Sequence, residues 1–196
     1  MSHLRDDDAG KRAVIRQFRA SGRKTWPVLE SRPADAVADV RHFLDEDGRE
    51  FDYVLFDLPG TLATGGVLRL VSSIEHLFIP VKADRMVLES AITFARMVCE
   101  TFVASERIAT QSVHLFWTMI DRRERTALFD RYDALFGEFG LPCLGTRIPR
   151  RARFSHEAAS EGGVPFRSTL LPADAALARD ARTDALAREI LSILER

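Results

Sequence analysis

Apolar residues recur along the chain in two periods, one helical and one extended. Val14, Ile15 and Phe18 are spaced for one face of a helix over residues 8–21, which Gly22 ends. WPVLE (26–30) predicts a short strand. After Pro33, residues Ala36, Val37, Val40, Phe43 and Leu44 share one face of a helix over 34–44, with Gly48 as its stop. YVLF (53–56) is a continuous apolar run closing on Asp57, the pattern of a strand buried on both faces of a parallel sheet. Gly65 and Gly66 precede a short helix over 67–73, and LFIPV (77–81) predicts a second buried strand. Asp84 is placed to cap a helix reaching about residue 104, with Met86, Val87, Ala91, Phe94, Ala95, Val98 and Phe102 inward. VHLFWTM (113–119) predicts a third strand. A helix over 123–139 carries Leu128, Tyr132, Leu135 and Phe139 on its stripe. A short strand over 142–146, a basic and then glycine-rich loop over 147–163, and an Ala/Leu-rich helix over 172–196 complete the chain.

Strands alternating with helices predict an α/β fold: a mainly parallel sheet with helices on both faces. The runs at 53–56, 77–81 and 113–119 are expected to be neighbours or near neighbours in that sheet. Ligands of such sheets sit beyond the carboxyl ends of the strands, which directs attention to Asp57 and the loop after it.

At 196 residues the chain fits one domain with an ample core. With 28 basic and 29 acidic residues no global field favours nucleic acid or anionic lipid, so any such partner must be met by a local patch. Cys99 and Cys143 lack CxxC spacing, and the histidines at 3, 42, 76, 114 and 156 lack HxxxH or HExxH spacing, which argues against disulfides and side-chain metal sites. Neither a secretory leader nor a run of about 18 apolar residues occurs, so the expected address is the cytoplasm, with no membrane span.

Two clusters carry candidate chemistry. Asp57, followed by Pro59-Gly60-Thr61, has the residue types to hold a Mg²⁺ water shell or orient an attacking water, with Gly60 letting the backbone approach a phosphate; equally, Asp57 could simply cap the turn after a strand. RIPRRAR places Arg147, Arg150, Arg151 and Arg153 close together, which suits either phosphate contacts or a solvated loop. No GxxxxGK[ST] loop is present. Ala9-Gly10-Lys11-Arg12 lacks the hydroxyl, and Ser21-Gly22-Arg23-Lys24-Thr25 lies between a helix and a strand, the inverse of the required context. His114 reads as a satisfied sheet histidine, and Cys99 as inert.

FDYVLFDLPGTL resembles the ParA/MinD family of deviant-Walker partition ATPases, especially the ParA-like proteins of conjugative elements. The likeness continues in order through LFIPVKADRMVLESAITFA (77–95), VHLFWTMID (113–121), GLPCLGTRIPRRARF (140–154) and VPFRSTLLPAD (164–174), and spans about residues 8–194. It implies a P-loop NTPase-like domain that binds ATP and Mg²⁺ between two subunits, associates non-specifically with DNA as the ATP-bound homodimer, and works with an adaptor protein in partitioning or transfer. Asp57 would be the Walker B acid, touching Mg²⁺ through water. Pro59, Gly60 and Thr61 would lie beside the γ-phosphate, Thr118 and Asp121 would approach the nucleotide, and Pro149 and Arg150 would border the adenine. Arg151 and Arg153 would project outward to DNA.

The family's first strand, KGG-type phosphate loop and second strand have no counterpart here. The expectation is an N-terminally incomplete domain with unpaired backbone and uncovered apolar surface beside residues 53–57, and little or no ATP affinity of its own. Two readings follow: an ATPase portion, or a non-catalytic interaction module that completes its sheet with a partner chain. An unrelated hydrolase using Asp57 accords poorly with the ordered resemblance.

Overall fold

The computed structural model describes residues 27–60, 64–105, 108–121, 126–152 and 175–195. The helix expected over 8–21 lies outside them. The chain divides into two compact units, one formed by residues 29–116 and 125–144, the other by 1–28, 117–124 and 145–196.

In the first unit, α1 (Ala36–Asp47) begins where the sequence places it and ends at Gly48, whose left-handed φ of 67° halts the helix. Ala36 is buried and Val37, Val40, Phe43 and Leu44 are half-buried, so the predicted face points inward. α2 (Val67–Val71) follows Gly66, and β1 (His76–Val81), α3 (Arg85–Thr101) and β2 (Ser112–Trp117) come next. β1 and β2 pair in parallel as a two-stranded sheet, with α3 between them in sequence, as a parallel pair requires. The molecule is thus mixed α/β, and two of the three expected strands are parallel neighbours.

Asp84 caps α3, its carboxylate accepting from the Val87 N–H at 3.1 Å. Leu88, Ala91, Ala95 and Val98 form the buried stripe, and α3 packs on β1. Met86, expected inward, is exposed. At 100° per residue it lies about 160° round the helix from the centre of that stripe. α4 (Thr126–Glu138) corrects the expectation in the same way: Phe129 and Phe136 are buried, whereas Leu128 and Phe139 are exposed, so the stripe is rotated by about one residue. The Arg96 guanidinium covers the Phe139 ring at 5.0 Å.

Val113, Leu115 and Trp117 of β2 are buried while the alternating residues are half-buried. On its side away from β1, the Leu115 N–H donates to Pro142 at 2.9 Å and its carbonyl accepts from Leu144 at 2.8 Å. The strand expected over 142–146 is therefore a single parallel bridge at Cys143.

Two expected strands are absent. Residues 27–30 are irregular, and so are 53–56. The YVLF run has the composition of a buried strand, but no strand lies beside it among the described residues. A strand is satisfied as such only by a ladder partner, and the sheet among the described residues holds β1 and β2 alone.

The second unit holds α5 (Ala175–Asp180) and α6 (Thr183–Leu194), which pack together. A single helix was expected over 172–196. It breaks at Ala181–Arg182, where Arg182 takes a left-handed φ of 58°. Among the described residues no helix is long and apolar enough to cross a membrane.

Candidate functional site

Asp57 ends the irregular apolar segment. Tyr53, Val54 and Leu55 are exposed, Leu55 at 88%, and Asp57, Pro59 and Gly60 are exposed as well. A Cβ built on Gly60 would meet nothing within 4 Å, so the loop is not folded around any cradle. Among the described residues no group of three or more His, Cys, Asp or Glu side chains is arranged to hold a metal. Asp57, Pro59 and Gly60 thus stand open to solvent with no cradle formed around them, and no catalytic step is derived through Mg·ATP. Thr61 and Arg153 lie outside the described residues.

The other candidates come together. β2 runs out at Trp117, and Met119 has a left-handed φ of 56°, an uncommon conformation for a side-chain-bearing residue. The turn lays Ile120 beside residues 148–150. The Ile148 N–H donates to Trp117 at 2.8 Å, the Ile120 N–H to Ile148 at 3.1 Å, and the Arg150 N–H to Ile120 at 2.8 Å, with a parallel bridge between Ile120 and Pro149. Thr118 and Asp121 thus flank the Met119 turn, and Pro149 and Arg150 lie on the segment hydrogen-bonded to Ile120. Asp121 and Arg150 are exposed.

Arg151 differs from the outward projection expected of it. Its side chain is 18% exposed, with Nη2 donating to Asp180 Oδ1 at 2.9 Å and to the Asp180 carbonyl at 2.8 Å. Nε lies 2.6 Å from Oδ2, but its N–H is not directed along that line, so the contact is ionic and Nε makes no hydrogen bond. The guanidinium thus ties residue 151 to α5 and is not presented to a DNA phosphate. Because Asp180 is half-exposed, this tie should contribute about 1 kcal/mol. Arg151→Ala and Asp180→Ala should each lower the thermal midpoint by a few degrees, and the double variant by no more than either alone. Additive losses in a thermal-melt cycle would show the two groups acting independently.

Glu189 was not singled out by sequence, since its partners lie more than 40 residues away and it reads as one more surface acid of a terminal helix. From α6 it accepts from the Gly145 N–H at 2.7 Å through Oε1 and from the Thr146 N–H at 2.9 Å through Oε2. Burial pushes this carboxyl up. Hydrogen bonds from the Thr146 side chain and from both amides, with the Arg182 charge, outweigh it and hold Glu189 below its ordinary value. The carboxylate satisfies two N–H groups just ahead of the 148–150 pairing.

His114 is satisfied within the sheet, as expected. Its Nε2 lies 2.9 Å from Ser112 Oγ, its ring stacks on Phe78 at 5.4 Å, and His76 Nδ1 reaches the same hydroxyl at 2.8 Å. One hydroxyl proton serves only one of the two rings, so at least one imidazole donates an N–H to it. Burial pushes the Cys99 thiol up, and neighbouring Glu100 adds to this, in keeping with an unreactive cysteine.

No protein-family model, curated protein or solved structure matches this chain.

Proposed function

We propose that this chain is a ParA-like module of plasmid or conjugative-element partitioning or transfer, whose ATP·Mg chemistry at Asp57 requires a further strand beside residues 53–56. The YVLF run carries this reading: four apolar residues of buried-strand type end on an Asp-x-Pro-Gly turn and stand irregular, with Tyr53, Val54 and Leu55 exposed, Leu55 at 88%, and Phe56 half-buried. Such a segment suits strand addition, because a neighbouring backbone would satisfy its amides and cover its side chains in one step. The pairing of Ile120 with residues 148–150 supports Thr118, Asp121, Pro149 and Arg150 acting on one ligand. On this reading ATP and Mg²⁺ are the cofactors, a homodimer the working state, and DNA phosphates and an adaptor the partners. Of the outward pair assigned to DNA, Arg151 is tied to Asp180 and Arg153 lies outside the described residues.

The same segment favours a second reading, a non-catalytic interaction module that uses 53–56 only to pair with another chain. Calorimetry with ATP·Mg separates them. The chain alone should bind no tighter than about 1 mM, about 4 kcal/mol of binding free energy. A fusion supplying a strand and a phosphate loop should tighten binding at least about tenfold and bring turnover that Asp57→Ala removes. Pairing without nucleotide affinity selects the interaction module. A micromolar dissociation constant for the chain alone overturns the proposed requirement for a further strand.

A further inference from the structure

The C-terminal helices hold two observations in tension. By composition, residues 172–196 form one Ala/Leu-rich helix, with neither Gly nor Pro between Ala173 and Arg196 to break it. In the structure they form two, α5 and α6, bent at Arg182. A left-handed φ at a residue with a Cβ is strained. Local contacts offset part of that strain: the Asp184 carboxylate accepts from the Ala185 N–H and from its own N–H, and Thr183 Oγ1 donates to the Ala178 carbonyl at 3.4 Å. The Arg182 side chain makes no capping hydrogen bond at the start of α6. A contact from outside the helices adds to these local ones.

Core packing by α6 is a weak candidate. None of its residues is fully buried; Leu186, Ile190, Ile193 and Leu194 are half-buried and Leu191 is exposed. The specific contact it makes is the Glu189 carboxylate on the Gly145 and Thr146 amides, at 2.7 and 2.9 Å. Hydrogen bonds to an ionised acceptor are among the stronger ones, so this clasp works against the strain at Arg182. α5 is held separately, through buried Leu177 and Ala181 and the Arg151–Asp180 pair.

We infer that α5 and α6 form a bistable pair, bent while Glu189 clasps the Gly145 and Thr146 amides and straightening into one continuous helix through Arg182 when that clasp opens. In the bent form the first-turn amides Thr183 and Asp184 have no helical acceptor four residues back. In the straight form they bond to the carbonyls of Arg179 and Asp180, while the amides of Gly145 and Thr146 lose their acceptor. The two states therefore differ at four named amides in opposite directions. Opening also frees the segment leading into Pro149 and Arg150 from α6, so a ligand that prefers one arrangement of that segment would bias the helix.

Hydrogen exchange of the full chain, read amide by amide, tests this. Glu189→Ala should raise exchange at Gly145 and Thr146 about tenfold or more and slow it at Thr183 and Asp184, with α3 unchanged. Adding Arg182→Gly relieves the strain of the bend and penalises the straight helix. The double variant should therefore return Thr183 and Asp184 to the wild-type rate while Gly145 and Thr146 stay fast. Faster exchange at all four amides in Glu189→Ala would mean that α6 frays and does not straighten. No change at Gly145 and Thr146 would mean that the carboxylate holds nothing. Either result overturns the inference.

Discussion

Replacing Phe136 by alanine should cost about 3–5 kcal/mol and move the denaturant midpoint without changing its slope. Phe136 is fully buried on the inner face of α4, alongside Phe129 and the tilted ring of Tyr132 at 6.4 Å. Truncation removes the ring's transfer free energy and leaves a cavity that a helix with two anchoring aromatics cannot collapse around. For a domain of ordinary stability that loss is a large share of the total, so the variant should unfold at a much lower urea concentration. Leu128→Ala and Phe139→Ala provide the contrast. Both side chains are exposed, at 39% and 40%, and each should cost about 1 kcal/mol or less. Urea unfolding followed by circular dichroism ranks the three. If Leu128 proved the most costly, the stripe would be the one that sequence spacing suggests and not the one observed.

The second large effect is expected at Gly66. It starts α2 with a φ of 89°, and a Cβ placed there would lie 2.5 Å from Ala34 Cα and 2.6 Å from Ala34 N. Those are backbone atoms, so no rotamer change relieves the clash. Backbone strain and overpacking together should make Gly66→Ala cost roughly 2–5 kcal/mol. Gly48→Ala isolates the strain alone, because its φ of 67° carries the same conformational penalty with nothing within 4 Å, and should cost about 1 kcal/mol. At Gly65 neither a positive φ nor a neighbour within 4 Å opposes a methyl group, so Gly65→Ala should be close to neutral. Thermal melts that place Gly66→Ala no lower than Gly48→Ala would show that the close approach to Ala34 is not maintained.

What the sequence made legible was local. α1, α3, β1 and β2 appear close to their expected positions because caps, glycine stops and apolar periods are encoded within a few residues. The errors arise where a distant group decides. YVLF is a strand by composition, yet a strand exists only with a neighbour, and none of the described residues supplies one. The inner face of α4 is set by Phe129 and Phe136, seven residues apart on one face, while Leu128 and Phe139 lie outside it. The terminal helix broke at Arg182, and the Glu189 clasp proposed to hold that bend spans more than 40 residues. In the candidate site, the grouping of Thr118, Asp121, Pro149 and Arg150 emerges from pairing between segments whose nearness the α/β alternation allowed but did not specify. Arg151 was legible as a guanidinium in a basic run, but its turn toward Asp180 depends on a helix that sequence placed without orientation.

The largely exposed run at 53–56 also gives Asp57 a second physical role. YVLF is a short window of high β-propensity without proline or charge, the kind of segment that stacks with copies of itself when it stands open to solvent. Asp52 and Asp57 bracket it on either side, and both are exposed. Two like charges at the ends of a four-residue window repel the same pair on an approaching molecule, so they act as gatekeepers of solubility independently of any metal or phosphate. A neutral residue at position 57 halves the charge on each copy and so removes most of that repulsion. Loss of function in an Asp57 variant therefore has two physical origins, a missing ligand and a more self-associating chain, and the concentration of the monomer distinguishes them.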